Sequence, residues 1–342
     1  MDSRHLLNAT FDMVGKELNL RISLLSIVIT FLNEEENLEE LVTQLVDAVA
    51  PLVDRYEFIM VNDASTDRSL EVCLSLRERY NCITIVNMSR IFGVQPCYMA
   101  GIQNTSGDAV MIIKSDLQDP PSVASELIEK YKEGYDVVHA LMESRSEDGT
   151  MRGIVFKIAH YLISRLSNPR LPMYATDYKL FSRRVAAEIL QIGEYDPFVR
   201  GLSFWVGFPQ AFVPYNAQAR RHGNTKSSLR GLKPYKELIR GITSFSIVPL
   251  YLSLLLGIGV AMIAVLAAIG LTFAVLFGVI TSIGGYASIM VTILFLGGLI
   301  LFSLGIVGIY LGKVYESAKG RPRYIVSEFI EQKDNNEVAQ LE

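Results

Sequence analysis

The stretch MIIKSDLQDPP, Met111 to Pro121, sets three apolar residues directly before Lys114, Ser115 and Asp116, then Gln118, Asp119 and two prolines. An apolar run that stops at acidic residues reads as a buried strand delivering carboxylates to the rim of a sheet. Oxygen ligands such as Asp116 and Gln118 suit a divalent cation that bridges a diphosphate and neutralises charge as it leaves. Asp63, which ends the run EFIMVND, is placed to accept hydrogen bonds from a base or a ribose. Lys114 either points away from this site or meets a phosphate as a point charge.

The surrounding elements explain how these groups converge. Leu24–Leu32 is a short, β-branched apolar run and predicts a buried strand. Asn33 is expected to cap the next helix, with Glu36 at the capping-box position and Leu38, Leu41, Val42, Leu45, Val46 and Val49 at helical spacing. Glu57–Asp63 predicts a second strand, and Ser65 or Thr66 a cap for a helix over Arg68–Tyr80. CITIVNM and DAVMIIKSD predict a third and a fourth strand. Strands buried on both faces and alternating with helices predict a parallel, doubly wound sheet. Such sheets bind ligands at the carboxyl ends of their strands, where Thr30, Asn33, Asp63, Ser89, Arg90 and Asp116 fall. There is no Walker A loop, GxGxxG fingerprint, metalloprotease motif or GxSxG elbow.

The rest of the chain is of a different kind. Half of the 342 residues are hydrophobic, and the excess is concentrated: Gly241 to Gly312 contains no Asp, Glu, Lys, Arg or His. As one helix that segment would be roughly 108 Å long, against a hydrocarbon core of about 30 Å. Two spans are therefore expected, about Val248–Val279 and Ile289–Leu311, broken at Gly284-Gly285. Arg230, Lys233, Lys236 and Arg240 precede the first, and Lys313, Lys319, Arg321 and Arg323 follow the second. This bias predicts cytoplasmic ends and a short external hairpin. It divides the chain into a cytoplasmic domain (1–229), an amphipathic linker (230–244), the hairpin (245–312) and a juxtamembrane segment with a disordered tail (313–342). Met1–Leu25 is mixed and charged, which is not the pattern of a signal peptide. A net charge of −4 argues against nucleic acid as a partner. Cys73, Cys82 and Cys97 lack ligand spacing and are expected in the core.

The segments IVITFLNEEENL, VNDASTD, SRIFGVQ, SDLQDPP, FVRGLSFWVGF and RRHGNTKSS occur in an order and spacing that resembles glycosyltransferase family 2. The likeness covers nearly the whole chain. It is strongest to the polyisoprenyl-phosphate branch, with bactoprenol glucosyltransferases and dolichyl-phosphate mannose synthases. The resemblance implies a GT-A (Rossmann-like) α/β domain followed by two transmembrane helices, a nucleotide-sugar donor, a lipid-phosphate acceptor and a Mg2+ or Mn2+ cofactor. Carried over by position, Thr30, Glu34, Asp63, Arg90 and Lys114 fall in the nucleotide-sugar region, with Arg220 and Lys226 in a closing loop. Asp116 and Gln118 match metal and diphosphate ligands. Arg145, Arg152, Lys157 and Arg200 match basic positions for the acceptor phosphate. Asp177 matches a position that holds a catalytic base in relatives acting on hydroxyls; here it either serves as one or orients a basic side chain. The chain departs from the family where Asp-x-Asp is usual, with Lys114-Ser115-Asp116, and Asn62 and Val94 also differ from the common pattern.

The resemblance implies an inverting transfer of a sugar, best read as glucose from UDP-glucose, onto undecaprenyl phosphate at the cytoplasmic leaflet. GDP-mannose, a UDP-N-acetylhexosamine and a UDP-amino-arabinose derivative are the alternative donors, and a non-catalytic scaffold is the rival class. The glycines of the two spans make a homo-oligomer plausible on packing grounds. Trp205, Phe204 and Phe208 are candidate interfacial side chains.

Overall fold

Four apolar runs organise the N-terminal domain because water is excluded from both of their faces. Leu24–Phe31 (β1), Arg55–Asn62 (β2), Ile83–Met88 (β3) and Ala109–Lys114 (β4) are almost wholly buried. β4, β1, β2 and β3 lie side by side in parallel. The computed structural model describes residues 21–143, 172, 175–218, 246–277 and 285–332. Val137–Met142 (β5), Ala175–Ser182 (β6), Gln210–Tyr215 (β7) and Val326–Ile330 (β8) complete an eight-stranded sheet of order β7-β5-β6-β4-β1-β2-β3-β8. β6 runs antiparallel to β4 and β5, and β8 antiparallel to β3. The sheet is thus mixed, where the sequence predicted a parallel one. The alternation that marks parallel units is confined to the first half of the domain, and β6 and β8 have no such pattern around them.

Helices cover both faces. Leu38–Val49 (α1), Ser69–Arg79 (α2) and, later, Val123–Lys132 (α4) lie on one face; Val94–Gln103 (α3), Arg183–Gln191 (α5) and Val199–Trp205 (α6) lie on the other. The first face buries Leu38, Leu41 and Leu45 against Ile27, Ile29 and Met60. On the second face α3 approaches β1 and β2 closely at Gly101. A Cβ built there would stand 2.2 Å from Val28 Cγ1 and 3.2 Å from Val61 Cγ2. Cys73 and Cys97 are buried core residues and Cys82 is partly buried; burial pushes the Cys73 thiol up to about 12.

Two capping expectations are corrected. Asn33 does not cap α1: it has φ 52°, and its side chain accepts a hydrogen bond from Thr66 N across the neighbouring loop. Nor does Ser65 or Thr66 cap α2; Asp67 accepts from Ser69 N instead, and Ser65 Oγ accepts from Asn33 N. Both polar loops bond to each other before they bond to their own helices. Phe204 is also not interfacial: it is buried and stacked on His139 at 3.9 Å, whereas Trp205 is 58% exposed.

A second unit holds two long apolar helices, Val248–Leu276 (α7) and Tyr286–Ala318 (α8), each with a stretch apolar enough to cross a membrane. Tyr310 Oη donates to the Ser246 carbonyl at 2.6 Å, tying one helix to the entrance of the other. α8 continues past Leu311 through Lys313 to Ala318, longer than the apolar run alone indicated. The linker over 230–244 and the tail from 333 lie outside the described residues.

The tight contact at Gly101 gives a direct test. Gly101→Ala adds one methyl against two stiff valines and is expected to destabilise the domain by about 1–3 kcal/mol, read from denaturant unfolding of detergent-solubilised protein.

Candidate active site

Strand order reverses between β1 and β4, and a crevice opens at such a switch point, outside the carboxyl ends of the strands. Register sets Thr30 of β1 beside Lys114 of β4. Three residues other than glycine adopt positive φ directly after strand ends here: Asn33 (52°) after β1, Ala64 (55°) after β2 and Leu117 (55°) after β4. Each such residue costs about 1–2 kcal/mol, and strain of this kind gathers where a protein holds loops for a purpose.

The loops are held by defined partners. Both carboxylate oxygens of Asp63 accept backbone hydrogen bonds, from Phe92 N at 2.7 Å and Gly93 N at 2.9 Å. Asp63 thereby fixes the turn that carries Arg90, whose guanidinium lies 4.1 Å from the Phe92 ring centroid. Glu34 is buried and accepts from Asn37 Nδ2 at 2.6 Å, while its own amide donates to Ser69 Oγ at 2.7 Å. Ser115 Oγ donates to the Thr30 carbonyl at 3.0 Å, joining β4 to β1 just below the site.

At the centre is Asp177 on β6, 5% exposed at its side chain. β4 pairs with β6 so that Ile112 faces Lys179, and continuing that register sets Lys114 opposite Asp177. Lys114 Nζ stands 2.9 Å from Asp177 Oδ2. Arg200 on α6 grips the same carboxylate with two hydrogen bonds, both 2.9 Å. Burial alone would raise the Asp177 carboxyl, but Arg200 and then Lys114 outweigh it and hold the group well below the usual carboxylate range. The same attraction raises Lys114, against the opposing effect of its burial. Asp177 is therefore a permanent anion with two cations fixed on it.

Lys179, two residues further along β6, is fully buried and donates to Ser203 Oγ at 2.8 Å. Burial pushes its ammonium down to about 7; Asp177 opposes that shift, and Arg200 and Lys114 add to it. Asp119 accepts a hydrogen bond from Tyr215 Oη, which fastens the loop after β4 to the end of β7. Burial raises the Asp119 carboxyl, with Lys114 and Tyr215 pulling it back. Neither Lys179, Asp119 nor Tyr215 stood out in the sequence as a site residue. Lys179 is legible only in retrospect, as a cation inside an otherwise apolar strand.

A divalent cation fits the donor set sparingly. Asp116 is half-buried and accepts a hydrogen bond from the Gln118 amide at 3.3 Å. Gln118 is exposed beside it. Among the described residues no cluster of three or more His, Cys, Asp or Glu side chains is arranged to hold a metal. One carboxylate and one amide suit an ion that takes most of its ligands from substrate phosphates and water, as Mg2+ commonly does. The structure thus assembles Thr30, Glu34, Asp63, Arg90, Lys114, Asp116, Gln118, Asp177 and Arg200 around the carboxyl ends of the sheet. Arg145, Arg152, Lys157, Arg220 and Lys226 lie outside the described residues.

Two outcomes follow from this geometry. Ala64→Gly relieves the left-handed backbone after β2 and is expected to raise unfolding free energy by up to about 1 kcal/mol in a denaturant titration. Lys179 is charged in the unfolded chain to about pH 10.4, yet loses its proton near pH 7 when folded. Between those values the unfolded chain binds the extra proton, so this group makes stability rise with pH across that window. Lys179→Met is accordingly expected to be more stable than the parent at pH 6. That advantage should shrink from pH 7 to pH 10, as read from unfolding midpoints along a pH series.

Comparison with known proteins identifies the family. Residues 26–190 match the model of glycosyl transferase family 2. The uncharacterized glycosyltransferase sll0501 of Synechocystis sp. is 40% identical over 89% of this chain and 95% of its own length. The uncharacterized glycosyltransferase YkcC of Bacillus subtilis is 37% identical over 88% and 92%. The prophage bactoprenol glucosyl transferase homolog of Escherichia coli is 33% identical over 88% and 98%. Among solved structures, glucosyl-3-phosphoglycerate synthase from Mycobacterium tuberculosis, in complex with Mn2+, UDP and phosphoglyceric acid, matches 65% of this chain and 76% of that chain at 22% identity and a TM-score of 0.44. With a mixed α/β domain of GT-A type and strand-end loops bearing the family's motifs, the chain belongs to glycosyl transferase family 2 and is a glycosyltransferase.

Proposed function

We propose that this enzyme transfers a sugar, glucose from UDP-glucose in the first instance, to the phosphate of a polyisoprenyl lipid such as undecaprenyl phosphate. The observation that carries the reading is the 33% identity to bactoprenol glucosyl transferases along 88% of the chain. It is supported by two helices apolar enough to span a membrane, which follow the sugar-transfer domain in sequence. Charged residues flank that hairpin on both sides and are absent within it, which favours a cytoplasmic catalytic domain.

The chemistry requires little proton management. A phosphate monoester is largely dianionic near neutral pH. Its oxygen attacks the anomeric carbon from the face opposite the leaving group. A new carbon–oxygen bond forms, the bond to the diphosphate breaks, and the nucleoside diphosphate departs with the electron pair. Configuration inverts, and an α-linked donor gives a β-linked product. Asp177, ionised and engaged by two cations, acts here by orienting Lys114 and Arg200 rather than by accepting a proton. Those cations stand ready where negative charge must be met, and preorganised charge lowers the barrier without rearrangement during the reaction. Asp116 and Gln118 would hold Mg2+ or Mn2+ against the diphosphate, where the ion would neutralise charge on the leaving group. The basic residues Arg145, Arg152 and Lys157 are assigned to the acceptor phosphate, and Arg220 and Lys226 to closure over the donor.

The test is transfer by the purified protein in detergent to undecaprenyl phosphate, from a panel of labelled nucleotide sugars with Mg2+, Mn2+ or EDTA. Labelled lipid from UDP-glucose is the expected result, and a different productive donor would replace the sugar assignment. Asp116→Ala is expected to lower transfer by about 100-fold or more while leaving the unfolding midpoint unchanged. Full activity in that variant would overturn the role given to Asp116.

A further inference from the structure

The sheet carries a row of polar side chains that none of the chemistry above uses. Register places Asn62 at the end of β2 beside Asn87 of β3, and Asn87 opposite Glu328 of β8. Directly opposed residues on neighbouring strands share a face. The two asparagines are buried, at 3% and 6% exposure. Asn87 Nδ2 donates to Glu328 Oε2 at 2.9 Å, and Asn62 Nδ2 donates to Asn87 Oδ1 at 3.2 Å. Asn62 Oδ1 accepts from Ser65 N at 2.9 Å, and Ser65 Oγ accepts from Asn33 N at 2.9 Å. Asn33 Oδ1 closes the series by accepting from Thr66 N at 2.7 Å. The relay ends between the loops after β1 and β2, on either side of Asn33 and Ala64 with their left-handed backbones.

The polarity of this relay is fixed from one end. An amide can present either its oxygen or its nitrogen, but an ionised carboxylate only accepts. Glu328 therefore obliges Asn87 to turn Nδ2 outward and Oδ1 inward. Asn62 must then spend its nitrogen on Asn87, which leaves its oxygen for Ser65 N. Ser327 Oγ donates to the Asn87 carbonyl at 3.0 Å, and Ser89 N donates to the Ile325 carbonyl at 2.9 Å; both keep β8 in register. We infer that Glu328, on the strand that follows the apolar hairpin in sequence, is a positioning residue for donor binding, setting through Asn87 and Asn62 the loops that receive the nucleoside diphosphate.

This inference rests on the nucleotide-sugar reading, and the experiment separates the two. Binding of UDP and GDP is measured by calorimetry on the full-length protein, alongside steady-state transfer. Glu328→Gln keeps an acceptor and is expected to bind within about twofold of the parent. Glu328→Ala removes the fixed end and should weaken nucleotide binding about threefold. Glu328→Lys supplies a donor, reverses both amides and leaves Ser65 N without its acceptor, so about tenfold weakening is expected. Donor KM should follow these changes in the same order, with kcat and the KM for lipid phosphate unmoved. Glu328→Lys that binds nucleotide as tightly as the parent, or variants that lower kcat at constant donor KM, would overturn the inference alone. A parent protein that binds neither nucleotide would overturn the donor reading and this inference with it.

Discussion

A buried carboxylate is tolerable only when it is paired, and Asp177 is the point from which the candidate site is organised. Its charge holds Arg200 from α6 and Lys114 from β4 in one place. An antiparallel strand is what makes the arrangement possible. β6 enters between β4 and β5 in the opposite direction, so the beginning of its run meets the carboxyl end of β4. Had β6 run parallel, a residue at its carboxyl end would have taken that place. The same strand brings Lys179 close behind the pair, where its positive charge is held at a cost. The result is a cationic floor beneath a crevice whose lip, at Asp116, is anionic. Such a floor suits a reaction in which phosphate arrives on one side and diphosphate departs on the other.

The loops above that floor obey a second constraint. Each connection between parallel strand and helix has to turn sharply, and three do so through left-handed backbone at residues with side chains. Hydrogen bonds between loops hold the first two: Thr66 N donates to Asn33 Oδ1, Asn33 N donates to Ser65 Oγ, and Asp63 accepts from Phe92 N and Gly93 N. The polar residues that a sequence reader assigns to ligands are thus partly occupied with one another. That does not remove them from binding. It means the pocket is built before the donor arrives, which spares the ordering that binding would otherwise require.

Much of this was legible in the sequence where a local pattern carried it. Runs such as LLSIVITF and AVMIIK are apolar on both sides, and buried parallel strands follow from that. The two apolar helices announce themselves by the absence of charge. Asp116, Asp63 and Thr30 could be placed at strand ends because the runs stop there. What stayed hidden depends on register between distant segments. Nothing near Asp177 in sequence indicates Lys114 or Arg200 as its partners, and nothing near VSEFI indicates that it pairs with β3. Asn33 and Ser65 have the chemistry of helix caps, and only the approach of the two loops redirects them to each other. Glu328 falls in a short polar segment after the hairpin, where the sequence pointed only to a juxtamembrane stretch.

The position of β8 along the chain bears on the order in which the protein is made. β3 is an outer strand of the parallel core, and its free edge is covered by residues 326–330, more than two hundred positions later. Between them the ribosome must deliver the remainder of the domain and both apolar helices. During that interval β3 offers an uncovered row of backbone donors and acceptors, the kind of edge on which chains pair wrongly. Domains generally fold as they emerge from the ribosome, but this one acquires its last strand only after the hairpin has been synthesised. A polypeptide arrested before residue 326 would hold Asp63, Asp116 and Asp177 and still leave the outer edge of β3 unpaired.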